Sequence, residues 1–183
     1  GYHVTWGGQF RLQQEANKRL ALVVPVTLLA VLLMLFRSFG SLKSSALILL
    51  NIPLALVGGV AALWLTGQNL SVPASVGFIA LLGIALENGM VLVTCMNQLL
   101  RQGRNPRDAS LEGAGLRLRP VLMTAVTTAL GLIPLLAATG TGSELQRPLA
   151  TVVVGGLLTS TVVTLLVLPA LFPWFVPGRK GEA

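Results

Sequence analysis

Charge is scarce in this sequence. Asp, Glu, Lys and Arg make up 10% of its 183 residues, against about 25% in a typical soluble domain. Set beside 54% hydrophobic residues, that scarcity excludes a disordered chain, a coiled coil and an ordinary soluble enzyme. Aromatic residues reach only 5%, so the net charge of +7 does not describe a nucleic-acid surface, and no nucleic acid is expected as a partner. Cysteine occurs once, at Cys95, which excludes a disulfide framework and a cysteine-rich zinc site. HExxH, nucleophile-elbow, P-loop and CxxC patterns are all absent, so neither an enzyme nor a cofactor is expected. Met34, Met90, Met96, Met123 and Cys95 would suit a soft metal ion, but they are scattered and read as apolar packing. The chain opens on Gly1 with no signal-peptide pattern, and we expect a fragment of a longer protein.

Long apolar runs fill most of what remains. A helix needs about 20 mostly apolar residues to cross a bilayer core. Runs at about 20–36, 46–65, 72–100, 121–138 and 149–175 come close to or exceed that length. They predict an all-α, polytopic membrane protein with five transmembrane helices. Residues 1–19 are then a tail, 101–120 a polar connection and 176–183 a second tail. Nine basic residues (Arg37, Lys43, Arg101, Arg104, Arg107, Arg117, Arg119, Arg179, Lys180) fall on one side. Four (Arg11, Lys18, Arg19, Arg147) fall on the other. The imbalance predicts a cytoplasmic C-terminus, with residues 1–19 outside.

Within the connection, Asn105-Pro106-Arg107-Asp108 has the pattern of an N-cap, an N1 proline and a first-turn acid. It reads either as a short surface helix with Ala109, Leu111, Ala114 and Leu116 partly buried, or as a solvated basic loop. The stretch Gln9 to Arg19 contains good helix formers and is expected to extend the first span. Tyr2, Trp6 and Phe10 suggest packing against something upstream, and His3 reads as a surface or packing residue. Pro53, Pro134 and Pro169 lie inside runs and should bend or open their helices.

Glu87 is the one ionisable residue inside any apolar core. A carboxylate at mid-membrane costs several kcal/mol unless protonated, paired or hydrated. No Lys or Arg shares those cores, so its partners within the chain are limited to neutral groups such as Asn51, Asn88, Thr124, Thr127 or Thr128, or water. Two readings stand: a proton-relay or substrate-path carboxylate, or a neutral acid bonding between helices. Asn97, ten residues on, is expected to share the face of Glu87, with Asn88 adjacent. Thr159, Ser160, Thr161 and Thr164 place hydroxyls in the fifth span, to bond to their own helix or to line a wet path.

Several motifs together are similar to one family. They are Val4-Thr5-Trp6-Gly7-Gly8-Gln9-Phe10, Asn51-Ile52-Pro53-Leu54-Ala55-Leu56 with Gly58-Gly59, and Ser71-Val72-Pro73-Ala74-Ser75-Val76-Gly77-Phe78-Ile79. Further along come Arg117-Leu118-Arg119-Pro120-Val121-Leu122-Met123-Thr124, Gly140-Thr141-Gly142-Ser143-Glu144 and Gln146-Arg147-Pro148-Leu149-Ala150. Over nearly its whole length the chain resembles the C-terminal membrane half of resistance–nodulation–division (RND) transporters, in their heavy-metal efflux branch. The resemblance implies the last five spans of a twelve-span subunit, most of one six-helix repeat. Residues 1–19 would end a periplasmic domain. It implies a fragment of a proton-driven inner-membrane pump that exports metal cations, powered by the proton-motive force. It also implies a homotrimer in the lipid bilayer, a missing N-terminal half, a periplasmic adaptor and an outer-membrane channel.

Glu87 matches a position where some copper- and silver-exporting members carry a glutamate in their proton path, with Asn88, Asn97, Thr124 and Thr128 as supporting polar groups. The family's main relay acids lie on an earlier span, and a lysine found soon after the Arg-Pro pair in some relatives is Val121 here. Copper-type members of that family carry a Met in the fifth span, and by that resemblance its absence here leans the cargo toward harder divalent ions such as zinc, cobalt, nickel or cadmium. A multidrug or organic-solute pump of the same superfamily, and a non-transporting membrane scaffold, are the competing readings.

Overall fold

The structure, a computed structural model, describes residues 9–175, with side-chain surroundings continuous from Leu22 onward. Tyr2, His3 and Trp6, the side chain of Phe10 and the tail 176–183 lie outside what it describes. Six helices follow one another: α1 (Gln9–Phe39), α2 (Leu42–Leu49), α3 (Asn51–Leu65), α4 (Val72–Arg101), α5 (Pro106–Ala137) and α6 (Ser143–Phe175). With α2 and α3 taken as one interrupted rod, five segments are long and apolar enough to cross a membrane. The polar stretch from Gln9 does extend the first span, as expected.

Two boundaries differ from the sequence reading. The second span begins at Leu42 and is interrupted at Leu50, three residues before Pro53. Pro53 has no N–H to offer the Leu49 carbonyl, and its ring crowds that carbonyl, so a backbone bond is lost there while Leu50 keeps helical φ −61° and ψ −24°. The polar connection 101–120 is not a separate unit beyond Pro106, because α5 runs through Pro120 without interruption. A proline removes one backbone bond and kinks a helix, but it need not end one whose flanks are packed. Asn105 is the N-cap and Asp108 sits in the first turn as expected, although the Asn105 side chain makes no capping bond. Ala109 is buried and Ala114 half-buried, but Leu111 and Leu116 are exposed. Ser110 and Gly113 take the inner positions instead. A Cβ on Gly113 would stand 2.8 Å from the Met96 side chain, so the start of α5 packs against α4.

The remaining helix ends are locally encoded. Ser71 caps α4 by accepting from the Ala74 amide at 3.4 Å. At the other end, Gly103 adopts φ +88°, and the amides of Gly103 and Arg104 return to the carbonyls of Leu100 and Leu99. That is a Schellman closure, which a Cβ-bearing residue at Gly103 would strain.

α6 is the hub and packs against α3, α4 and α5, while among the described residues α1 touches α2 and α4. In the span of α6 56% of residues are buried, against 6% for α1 and 11% for α5. Most of α1 and α5 therefore faces lipid or other protein. Gly58 and Gly155 bring α3 and α6 into backbone contact; a Cβ on Gly58 would lie 3.0 Å from the Gly155 carbonyl oxygen and collide with Thr159. Close approach through small residues substitutes for the hydrophobic drive that lipid removes. Two apolar clusters result. One holds Leu47, Ile48, Leu92, Met96, Leu168 and Phe172, and the other holds Ala55, Leu63, Ala74, Leu81, Ala85 and Val152.

Candidate functional site

Between those clusters the helices share a polar layer. Asn51, at the break that opens α3, is fully buried. Its amide nitrogen donates to the Thr164 hydroxyl at 2.8 Å, to the Ala85 carbonyl at 2.9 Å and weakly to the Ser160 hydroxyl at 3.5 Å. One side chain thus ties α3 to α4 and α6. Inside a low-dielectric bundle such bonds are strengthened, and any unpaired group is costly. Two atoms of the layer have no partner: Asn51 Oδ1 and Asn88 Nδ2. Of the other hydroxyls singled out on α6, Thr159 and Thr161 donate back to their own helix, to the carbonyls of Gly155 and Leu157. Bonding to their own helix is thus seen for these two, while Ser160 and Thr164 accept from Asn51 between helices.

Glu87 points away from this layer. It is exposed, on a stripe of α4 formed by Gly83, Glu87, Met90, Thr94, Gln98 and Arg101, at the three- and four-residue spacing of one helix face. Among the described residues it makes no hydrogen bond, and the single ion pair present is Arg104 with Glu112 at 3.4 Å on the surface. Asn88 is one residue on and buried on the opposite side, 6% exposed.

The expectation that Asn97 shares the Glu87 face is corrected. Ten residues at 100° each leave the two about 80° apart, and Asn97 is half-buried beside a cavity at the far end of α4. Thr124 is exposed and donates to the Pro120 carbonyl at 3.1 Å, and Thr128 is half-buried. Among the described residues no hydrogen bond joins Glu87, Asn88, Asn97, Thr124 and Thr128 to one another. The sequence reading named Asn51 only as a possible neighbour of Glu87, and missed that it centres the layer. Its signal was an amide two residues before a proline, where a helix break bares polar backbone.

No group of three or more His, Cys, Asp or Glu side chains assembles among the described residues. Cys95 and Met96 are buried in the core, while Met34 and Met123 are 75% and 70% exposed. The sulfur atoms are thus dispersed, with Cys95 and Met96 packed in the core and Met34 and Met123 on open faces.

The AcrB/AcrD/AcrF family model matches residues 1–176. Protein HelA of Legionella pneumophila is 56% identical over 181 residues, 98% of this chain and 17% of that protein. The cobalt-zinc-cadmium resistance protein CzcA of Cupriavidus metallidurans is 52% identical over 182 residues, 100% of this chain and 17% of that protein. The crystal structure of a heavy metal efflux pump superposes with a TM-score of 0.84 at 48% identity, covering 96% of this chain and 18% of that one. The chain thus spans about one-sixth of the length of the curated relatives it matches.

Proposed function

The chain belongs to the AcrB/AcrD/AcrF family of transporters, and from that premise we propose that it supplies five spans of a proton-driven pump exporting divalent metal cations. The relatives named for cobalt, zinc and cadmium resistance and for heavy-metal efflux support the cargo class. The chain itself is a multi-pass, all-helical membrane segment. We place it in the inner membrane, within a trimer that meets a periplasmic adaptor and an outer-membrane channel.

One observation carries the mechanism. Glu87 stands partnerless on the uncovered face of α4. Ionisable groups inside a membrane face a bundle interior or a water-filled space, not lipid. That face is therefore where the remainder of the full-length protein docks, and Glu87 meets polar groups or water at the seam. There the carboxyl takes up a proton in one state of the cycle and releases it in the other. The change of charge biases the position of α4 against the opposing half. Thr124 and Thr128 lie on an open side of α5 and are candidates to line the same seam. The buried Asn51 layer holds α3, α4 and α6 together, so that α4 moves with its neighbours.

Orientation follows from charge. The ends of α1, α4 and α6 and the start of α2 surround one cavity, so Arg37, Lys43 and Arg101 gather at one end of the bundle. This supports a cytoplasmic placement of that end. Cells that depend on the full-length pump should lose zinc, cobalt or cadmium resistance on Glu87→Gln at unchanged protein level. Unchanged resistance to all three ions would remove metal export through Glu87.

A further inference from the structure

At that basic end, a cavity of about 420 Å³ opens between the α1–α2 turn, the last two turns of α4 and the end of α6. Its polar wall carries Lys43, Arg101, Asn97, Gln98 and Ser44. Among the described residues none of these five side chains makes a hydrogen bond or ion pair, although Ser44 is only 3% exposed. Among the described residues no carboxylate lines the cavity. Its other wall is apolar, with Phe39, Leu100 and Phe175. Two cations, two carboxamides and a buried hydroxyl form a donor-rich pocket that excludes cations and suits a singly charged phosphate group. An apolar wall beside the charges, at the ends of membrane-crossing helices, is what a headgroup with attached acyl chains requires.

We infer that this cavity binds the phosphodiester headgroup of an anionic phospholipid. Lys43 and Arg101 neutralise the phosphate, Asn97 and Gln98 donate to its oxygens, and the acyl chains lie along Phe39 and Phe175. The site pins α4 to the α1–α2 turn, on the same helix that carries Glu87 one end further in. The binding chemistry needs only that the cavity lies at a membrane edge. Its assignment to the cytoplasmic leaflet rests on the orientation proposed above. A binding measurement in detergent is blind to orientation and to transport, so the two readings fail separately.

The test is native mass spectrometry of the purified full-length protein with dioleoyl phosphatidylglycerol, and with dioleoyl phosphatidylcholine as the neutral control. Each cation near an anionic headgroup contributes about 1 kcal/mol, or about fivefold in affinity. The wild type should therefore hold phosphatidylglycerol more tightly than phosphatidylcholine at its strongest site, by up to about 25-fold, because the choline cation offsets the phosphate that both lipids carry. Lys43→Gln and Arg101→Gln should each weaken phosphatidylglycerol about fivefold and phosphatidylcholine by less, while Lys43→Arg keeps the affinity. Equal affinity of the wild type for the two lipids overturns the inference, and that comparison needs no variant. Unaltered phosphatidylglycerol binding to the double variant also overturns it. Displacement of the lipid by millimolar inorganic phosphate would overturn the lipid assignment in favour of free phosphate.

Discussion

The amide of Asn51 on α3 donates to the Thr164 hydroxyl on α6 at 2.8 Å, across 113 residues of sequence. The same amide also holds the Ala85 carbonyl of α4 at 2.9 Å. Three helices are therefore fastened at mid-height by one side chain, between two apolar clusters that alone would specify no vertical register. Hydrogen bonds give what sliding apolar surfaces lack, a single depth at which the helices fit.

Asn51→Leu should destabilise the full-length protein by about 1 kcal/mol, within the range measured for interhelical hydrogen bonds in membranes. Asn88→Leu should cost less, because the Asn88 amide nitrogen is already buried without a partner. Denaturant titration of the purified protein in detergent measures both. The reverse order of the two costs would contradict the layer as described.

Gly58→Ala places a methyl group against Thr159 and the Gly155 backbone. The helices must separate or shift, at about 1–3 kcal/mol. A second substitution, Thr159→Gly, should recover part of the loss. Thermal stability of the two single variants and the double variant reads this directly, and strict additivity would mean that α3 and α6 are not in contact there.

Orientation can be read with engineered thiols in the full-length protein after replacing Cys95, the one cysteine of this chain, and any cysteine outside it. Asn69→Cys, in the α3–α4 turn, should react with a membrane-impermeant maleimide in intact cells. Gln102→Cys, after α4, should react only once the inner membrane is opened. The opposite pattern would invert the proposed topology.

How much of this was legible beforehand depends on the range of the interaction. The number of spans and the Asn105-Pro106 start of α5 are local, set by apolar run length and by neighbouring residues, and both could be read beforehand, whereas the cap at Ser71 was not singled out. The α4–α5 connection was misjudged because Arg117, Arg119 and Pro120 look like a stop. A helix leaving the bilayer can nevertheless carry charge on its exposed side and tolerate one missing backbone bond. Asn51 was undervalued because its partners Ser160 and Thr164 lie more than a hundred positions away. Asn97 was placed on the face of Glu87 by treating ten residues as three full turns, which leaves it about 80° round the helix. Glu87 was visible at once, because it interrupts an otherwise apolar run. Only the structure shows that it turns outward, away from the layer.

The central claim is that Glu87 carries a proton in the transport cycle, and its most direct test is transport by the full-length protein in proteoliposomes under an imposed pH gradient. Zinc or cobalt movement should depend on the gradient in the wild type. With Glu87→Gln the gradient-driven rate should fall by about tenfold or more, equivalent to at least 1.4 kcal/mol at the limiting step, while Glu87→Asp retains gradient dependence. A Glu87→Gln protein that transports at the wild-type rate with the wild-type response to pH would contradict the account.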